Sequence, residues 1–125
     1  MRTSQVGKFQ KNLNAGVVGL AVLAALAADD ADVYGYELAK RLTAARPGAP
    51  AAGALATGTP FQPGSIYPVL RALCAAGWLS SRVVPSYAGP ARRYYRITAA
   101  GRETLAAWRE TWRDTRNFVD ELLER

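Results

Sequence analysis

Nine cationic side chains, Lys40, Arg41, Arg46, Arg71, Arg82, Arg92, Arg93, Arg96 and Arg102, stand in a stretch that holds no carboxylate between Glu37 and Glu103. The segments on either side are slightly acidic, so the net charge of +6 comes from this middle. Cations without local counter-charge make a positive surface, and such a surface holds polyanions. Catalysis lacks its usual parts. The chain of 125 residues has no histidine, which removes the commonest general base, the commonest metal ligand and any Ser-His or Cys-His pair. Asp29, Asp30 and Asp32 crowd one turn, and the C-terminal acids are spread among arginines along a helix. The expectation is a protein with no catalytic residues, no metal and no cofactor. One cysteine, Cys74, excludes an internal disulfide and fits a reducing compartment. Among Leu70, Leu73 and Trp78 it reads as a small apolar packing residue.

The elements that must position these cations follow from hydrophobic spacing. Length and a half-hydrophobic composition suit one domain. Met1 to Gln10 is polar and reads as a mobile arm. Residues 11–28 read as a helix, with Val17, Leu20, Leu23 or Ala24, and Ala27 facing the core. Positive charges followed by the apolar run Ala15 to Ala28 and an Ala-x-Ala ending also fit a secretory leader. That run is shorter than the roughly 20 residues of a membrane span. A buried helix is the preferred reading, and with it a cytoplasmic protein with no membrane partner. Asp32 offers an N-cap to a second helix over 33–46. Val33, Tyr36, Leu38 or Ala39, and Leu42 would face inward there, with Lys40 and Arg41 outside. The Pro-, Gly- and Ala-rich stretch 47–64 reads as a long flexible connection inside one domain.

A third helix holds Ile66, Val69, Leu70 and Leu73 on one face and Tyr67, Pro68 and Arg71 on the other. Either Ser65 caps it, or it starts at Pro63 and kinks near Pro68, and Gly77 closes it. Its N-terminal N–H groups favour anions. A hairpin follows, with strands in "WLSSRVVPS" and "RRYYRIT" around a turn at 87–91. Tyr95 and Ile97 alternate inward, while Arg92 and Arg93 sit at the tip. Thr98 caps a last helix, about 99–124. There Leu105, Trp108, Trp112, Thr115, Val119 and Leu122 follow a 3-4 repeat that predicts a homodimer seam. Trp108 and Trp112, with Leu105, either form a slot for a flat aromatic ligand or pack shut across that seam.

Helix, helix, helix, hairpin and long helix, with the cations on the third helix and the hairpin tip, is the order of a winged helix-turn-helix. The expected fold is mainly α with a small β-hairpin. Residues 1–98 form the winged-helix domain with its N-terminal arm and helix, and residues 99–125 form the dimerisation helix. Ser65, Tyr67, Pro68 and Arg71, supported by Lys40 and Arg41, would contact double-stranded DNA from one helix face. Arg92 and Arg93 would hold phosphates. The other class of function open to this pattern is a winged-helix module that contacts only proteins.

The segments "YGYELAKRL" (34–42), "GSIYPVLRALCAAGWL" (64–79) and "GPARRYYRITAAGRETL" (89–105), with the Trp-containing last helix, resemble PadR-type transcriptional regulators over nearly all of residues 15–125. The connection at 47–64 departs from the family pattern in its length and its Ala/Gly content. The resemblance implies a homodimeric winged-helix repressor whose C-terminal helix swaps contacts with the partner, and the expected DNA is a palindromic operator. It also implies a response to small aromatic or hydrophobic effectors. In part of the compact subgroup, a tryptophan matching Trp112 lines a cavity at the dimer centre.

Overall fold

A computed structural model describes the backbone of residues 2–45 and 63–125, and the side chains of residues 5–43 and 66–125. The elements are α1 (Arg2–Asp29), β1 (Val33–Tyr34), α2 (Gly35–Ala45), α3 (Pro63–Ala75), β2 (Leu79–Val84), β3 (Arg92–Ile97) and α4 (Ala99–Leu123). The expected order of helices and hairpin is present. Most of the connection expected at 47–64 lies outside the described residues, and its last two residues, Pro63 and Gly64, open α3.

One core joins all the elements. It gathers Val18, Val22, Leu23 and Leu26 of α1 with Val33, Leu38, Ala39, Ile66, Leu70, Leu73, Leu79, Tyr95, Ile97 and Leu105. On α3 the spacing Ile66, Leu70, Leu73 puts one stripe inward. Past Ala75 the chain stops in a C-terminal lock: Trp78 N–H donates to the Leu73 carbonyl and Gly77 N–H to the Cys74 carbonyl, both at 3.0 Å. Gly77 supplies the positive φ of 84° that this motif requires.

α1 differs from its expected form in two ways. It begins at Arg2, so the residues expected as a mobile arm are helical. Val6, Phe9 and Leu13 continue the helical spacing outward, and the Gln10 amide donates to the buried Asn14 carbonyl oxygen at 2.8 Å. The buried stripe is also rotated. Val18, Val22, Leu23 and Leu26 are in the core, Val17 and Leu20 flank it, and Ala24 is exposed. The helix is apolar around much of its girth because it packs on two sides, so spacing alone does not select one face. By length and composition its stretch Gln5–Asp29 is long enough to cross a membrane, unlike the shorter run read from the sequence. Its central residues are nonetheless spent in the core described above.

A two-residue strand precedes α2. Val33 and Tyr34 pair antiparallel with Tyr95 and Tyr94, which makes a three-stranded sheet in the order β1-β3-β2. Val33 is therefore a buried strand residue rather than a helical one, and Tyr36, expected inward, is about half exposed. Because α2 starts only at Gly35, Asp32 does not stand at its N-cap position. The hairpin pairs Leu79 with Ile97 through to Val84 with Arg92, which sets Arg92 and Arg93 at the tip end of β3. Thr98 caps α4 as expected, its hydroxyl accepting from Gly101 N–H at 3.0 Å.

Candidate nucleic-acid interface

The lock at Gly77 and the buried stripe fix how α3 rolls, and this decides what it offers outward. Pro68 and Arg71 are exposed and Tyr67 is half-buried, while Ser65 lies in the first turn with its side chain outside the described residues. Gly35 lies beside Tyr67 and close against Tyr95. A Cβ there would come within 2.9 Å of the Tyr95 ring, which would have to shift, while 3.4 Å to the Tyr67 ring is ordinary contact. Burial raises the Tyr67 phenol above its ordinary value, with Tyr34 and Tyr36 acting in the same sense. The group is therefore a neutral hydroxyl, free to donate or accept.

Two wing cations and one on α2 lie over tyrosine rings. Arg92 lies over the Tyr34 ring at 5.1 Å, Arg82 over Tyr94 at 6.0 Å and Lys40 over Tyr36 at 5.8 Å. Tyr34 is itself 5.7 Å from Tyr94 and 6.0 Å from Tyr36, centroid to centroid. Arg93 is held differently: its Nη1 donates to Ser81 Oγ at 3.0 Å. Tyr34, Tyr36 and Ser81 were not legible as site residues. The alternation of two tyrosines about Gly35 was the available signal.

The acid-free segment is not free of acids in space. Asp29 accepts from Arg41 at 2.6 Å, and Asp30 from Arg102 at 3.0 Å. Asp32 accepts from both Arg82, at 2.6 Å, and Arg96, at 3.1 Å. The hydrogen bond from Arg82, helped by the charges of Arg82 and Arg96 and opposed by desolvation, holds the Asp32 carboxyl below its ordinary value. The turn between α1 and β1 thus takes up four of the cations. Within the basic segment, the described cations without a carboxylate partner are Lys40, Arg71, Arg92 and Arg93. Arg71 belongs to α3, Arg92 and Arg93 to the wing strand β3, and Lys40 to α2, where it lies over Tyr36. Arg41, grouped with them from sequence, is bonded to Asp29 instead.

A second feature lies between α1 and α4. A cavity of about 450 Å³ is lined by Leu13, Gly16, Val17 and Gly19 of α1 and by Trp108, Trp112 and Thr115 of α4, among others. Trp108 does not stack on Trp112. It meets Trp78 edge-on, 5.1 Å between centroids and 85° between planes, with its other side over Gly19. Trp112 remains 38% exposed. Leu105, expected at the seam and in the slot, is buried in the core one turn earlier and does not line the cavity. The first turns of α4 are thus spent on its own domain, and Leu105 with them. Beyond Trp108, α4 is exposed, Thr115, Val119 and Leu122 included.

Residues 22–107 match the transcriptional regulator PadR-like family. The chain belongs to that family. Its winged-helix fold is shared with solved PadR structures. A PadR family transcriptional regulator from Eggerthella lenta is 27% identical, with 98% of this chain and 96% of the other covered at a TM-score of 0.77. A PadR-like transcriptional regulator from Bacillus cereus is also 27% identical, with 91% and 98% covered at a TM-score of 0.67. A Streptococcus transcriptional regulator is 28% identical, with 88% and 95% covered at 0.63. No curated protein matches the chain significantly. As a member of the PadR-like family the chain is a transcriptional regulator, and its relatives are regulators rather than enzymes.

Proposed function

We propose that this regulator is a homodimeric repressor that grips a palindromic duplex with α3 and the wing. A small aromatic or hydrophobic compound bound between α1 and α4 releases it. The observation that carries the DNA reading is the sorting of cations. Ion pairs from Asp29, Asp30 and Asp32 engage Arg41, Arg82, Arg96 and Arg102. Among the described residues Arg71 and Arg93, which line the cleft between α3 and the wing, and Lys40 and Arg92, which lie over Tyr36 and Tyr34, have no carboxylate partner. Tyr67, Pro68 and Arg71 meet base edges or phosphates in the major groove, joined by Ser65 from the same turn. Arg92 and Arg93 hold the backbone. Lys40 adds a phosphate contact, and Arg41 contributes less because Asp29 already neutralises it.

The effector reading is supported by the cavity that Trp108 and Trp112 line with α1. An apolar space of this size suits a flat ligand, and a ligand wedged between α1 and α4 would change the angle at which two wings meet the duplex. The test compares Arg92→Ala/Arg93→Ala with Arg41→Ala on a duplex from the DNA adjoining the protein's own coding sequence. The double variant is expected to weaken binding by about tenfold or more, and Arg41→Ala by about twofold. Equal losses would remove the reading, and undiminished binding by the double variant would favour a wing that contacts only protein. Saturable quenching of tryptophan fluorescence by aromatic compounds, lost in Trp112→Ala, tests the effector site. Its absence across a broad panel would mean that the cavity takes no such ligand.

A further inference from the structure

A cleft of about 680 Å³ opens between α3 and the wing, lined by Tyr67, Arg71, Cys74, Ser81, Arg93 and Tyr95. Arg71 projects from the exposed face of α3, and Arg93 approaches from β3. Register explains the second approach. Ser81 pairs with Tyr95, so Arg93 is its diagonal neighbour on one face of the sheet, and Arg93 Nη1 reaches Ser81 Oγ at 3.0 Å. Tyr95, 4% exposed, and Cys74 line the interior side. Burial raises the Tyr95 phenol and the Cys74 thiol above their ordinary values, opposed by Arg93 and Arg71 at the phenol and by Ser81 and Arg93 at the thiol. Among the described residues no acid lines the cleft, and the two guanidinium groups carry its charge there. Neither pairs with a carboxylate among the described residues.

We infer that this cleft is a phosphate-binding site, in which Arg71 and Arg93 close on one phosphate group from two sides and the neighbouring hydroxyls donate to its remaining oxygens. Two converging guanidinium forks with neutral O–H donors between them match a group that offers several acceptor oxygens. Ser81 is a positioning residue: it touches Arg93, and through it the phosphate. The phosphate comes either from the DNA backbone or from a free phosphorylated compound. The first source rests on the DNA-binding reading above, and the second does not.

The chain's only cysteine reports on occupancy, because Cys74 lines the cleft. Its rate of alkylation by N-ethylmaleimide is measured in inorganic phosphate and in chloride at equal ionic strength, and separately with a bound duplex. Phosphate at twice its dissociation constant is expected to slow the reaction about threefold. Arg71→Ala and Arg93→Ala should react at the unliganded rate in both salts, and since both side chains are exposed these variants should fold. Ser81→Ala should lose most of the protection and Ser81→Thr keep it, since threonine retains the hydroxyl. Protection by phosphate without any duplex binding would assign the site to a free phosphorylated compound and sink the DNA reading alone. Duplex binding with no protection of Cys74 by either ligand would sink the cleft alone. Protection that persists in Arg71→Ala is mere steric cover and overturns the inference.

Discussion

Asp32 shows how one carboxylate organises this surface. It accepts from Arg82 of β2 and Arg96 of β3, across sequence separations of 50 and 64 residues, and so ties the α1–β1 turn to the wing. Its pKa is lowered first by the hydrogen bond from Arg82. A depressed acid contributes stability that is complete above its unfolded value and is lost as the pH falls through its folded one. The wild type is therefore expected to melt above Asp32→Asn by a constant margin down to about pH 5, with the margin closing below about pH 4. Thermal unfolding of both chains across that range checks it. A margin that does not change with pH would mean that the two arginines contribute nothing through charge.

At the scale of elements, the joint between wing and α4 is the least forgiving. Gly101 lies against Trp78, and a Cβ at Gly101 would overlap the Trp78 carbonyl oxygen and press on Ile97. Backbone cannot yield as a side-chain tip can, so Gly101→Ala is expected to cost about 1–3 kcal/mol. A lower denaturant midpoint with an unchanged slope would show this. The same joint was partly legible. Thr98 announced α4, Gly77 announced the end of α3, and the alternation of Arg93, Tyr95 and Ile97 announced β3, because each signal is local. β1 was not legible, since two residues carry no period and Val33 and Tyr34 become a strand only by pairing with Tyr95 and Tyr94. The start of α1 was hidden by its polarity, and its buried face by apolar residues on several sides. The ion pairs of Asp29, Asp30 and Asp32 were hidden too, because their partners are brought to them by the fold.

Among the described residues, the outer parts of α1 and α4 leave apolar side chains uncovered. Val6 and Phe9 of α1 are 66% and 67% exposed, and Phe118, Val119, Leu122 and Leu123 of α4 range from 43% to 77%. α4 packs on its own chain through Gly101, Leu105 and Trp108, and from Arg109 onward it is exposed, which suits the proposed homodimer. Val119→Arg/Leu122→Arg is expected to sediment at the single-chain mass and to lose more than about tenfold in duplex affinity, because the two half-sites are no longer linked. A variant that still sediments as a dimer would place the seam elsewhere. The central claim is that the proposed homodimer neutralises backbone phosphates with the unpaired cations of α3 and the wing, and the salt dependence of duplex binding tests it most directly. For about 6–10 contacts per dimer the log–log slope should lie near −5 to −9, and it should fall by about 0.9 for each arginine removed from the four wing-tip positions of the dimer. A slope near zero, or one unchanged in Arg92→Ala/Arg93→Ala, would contradict it.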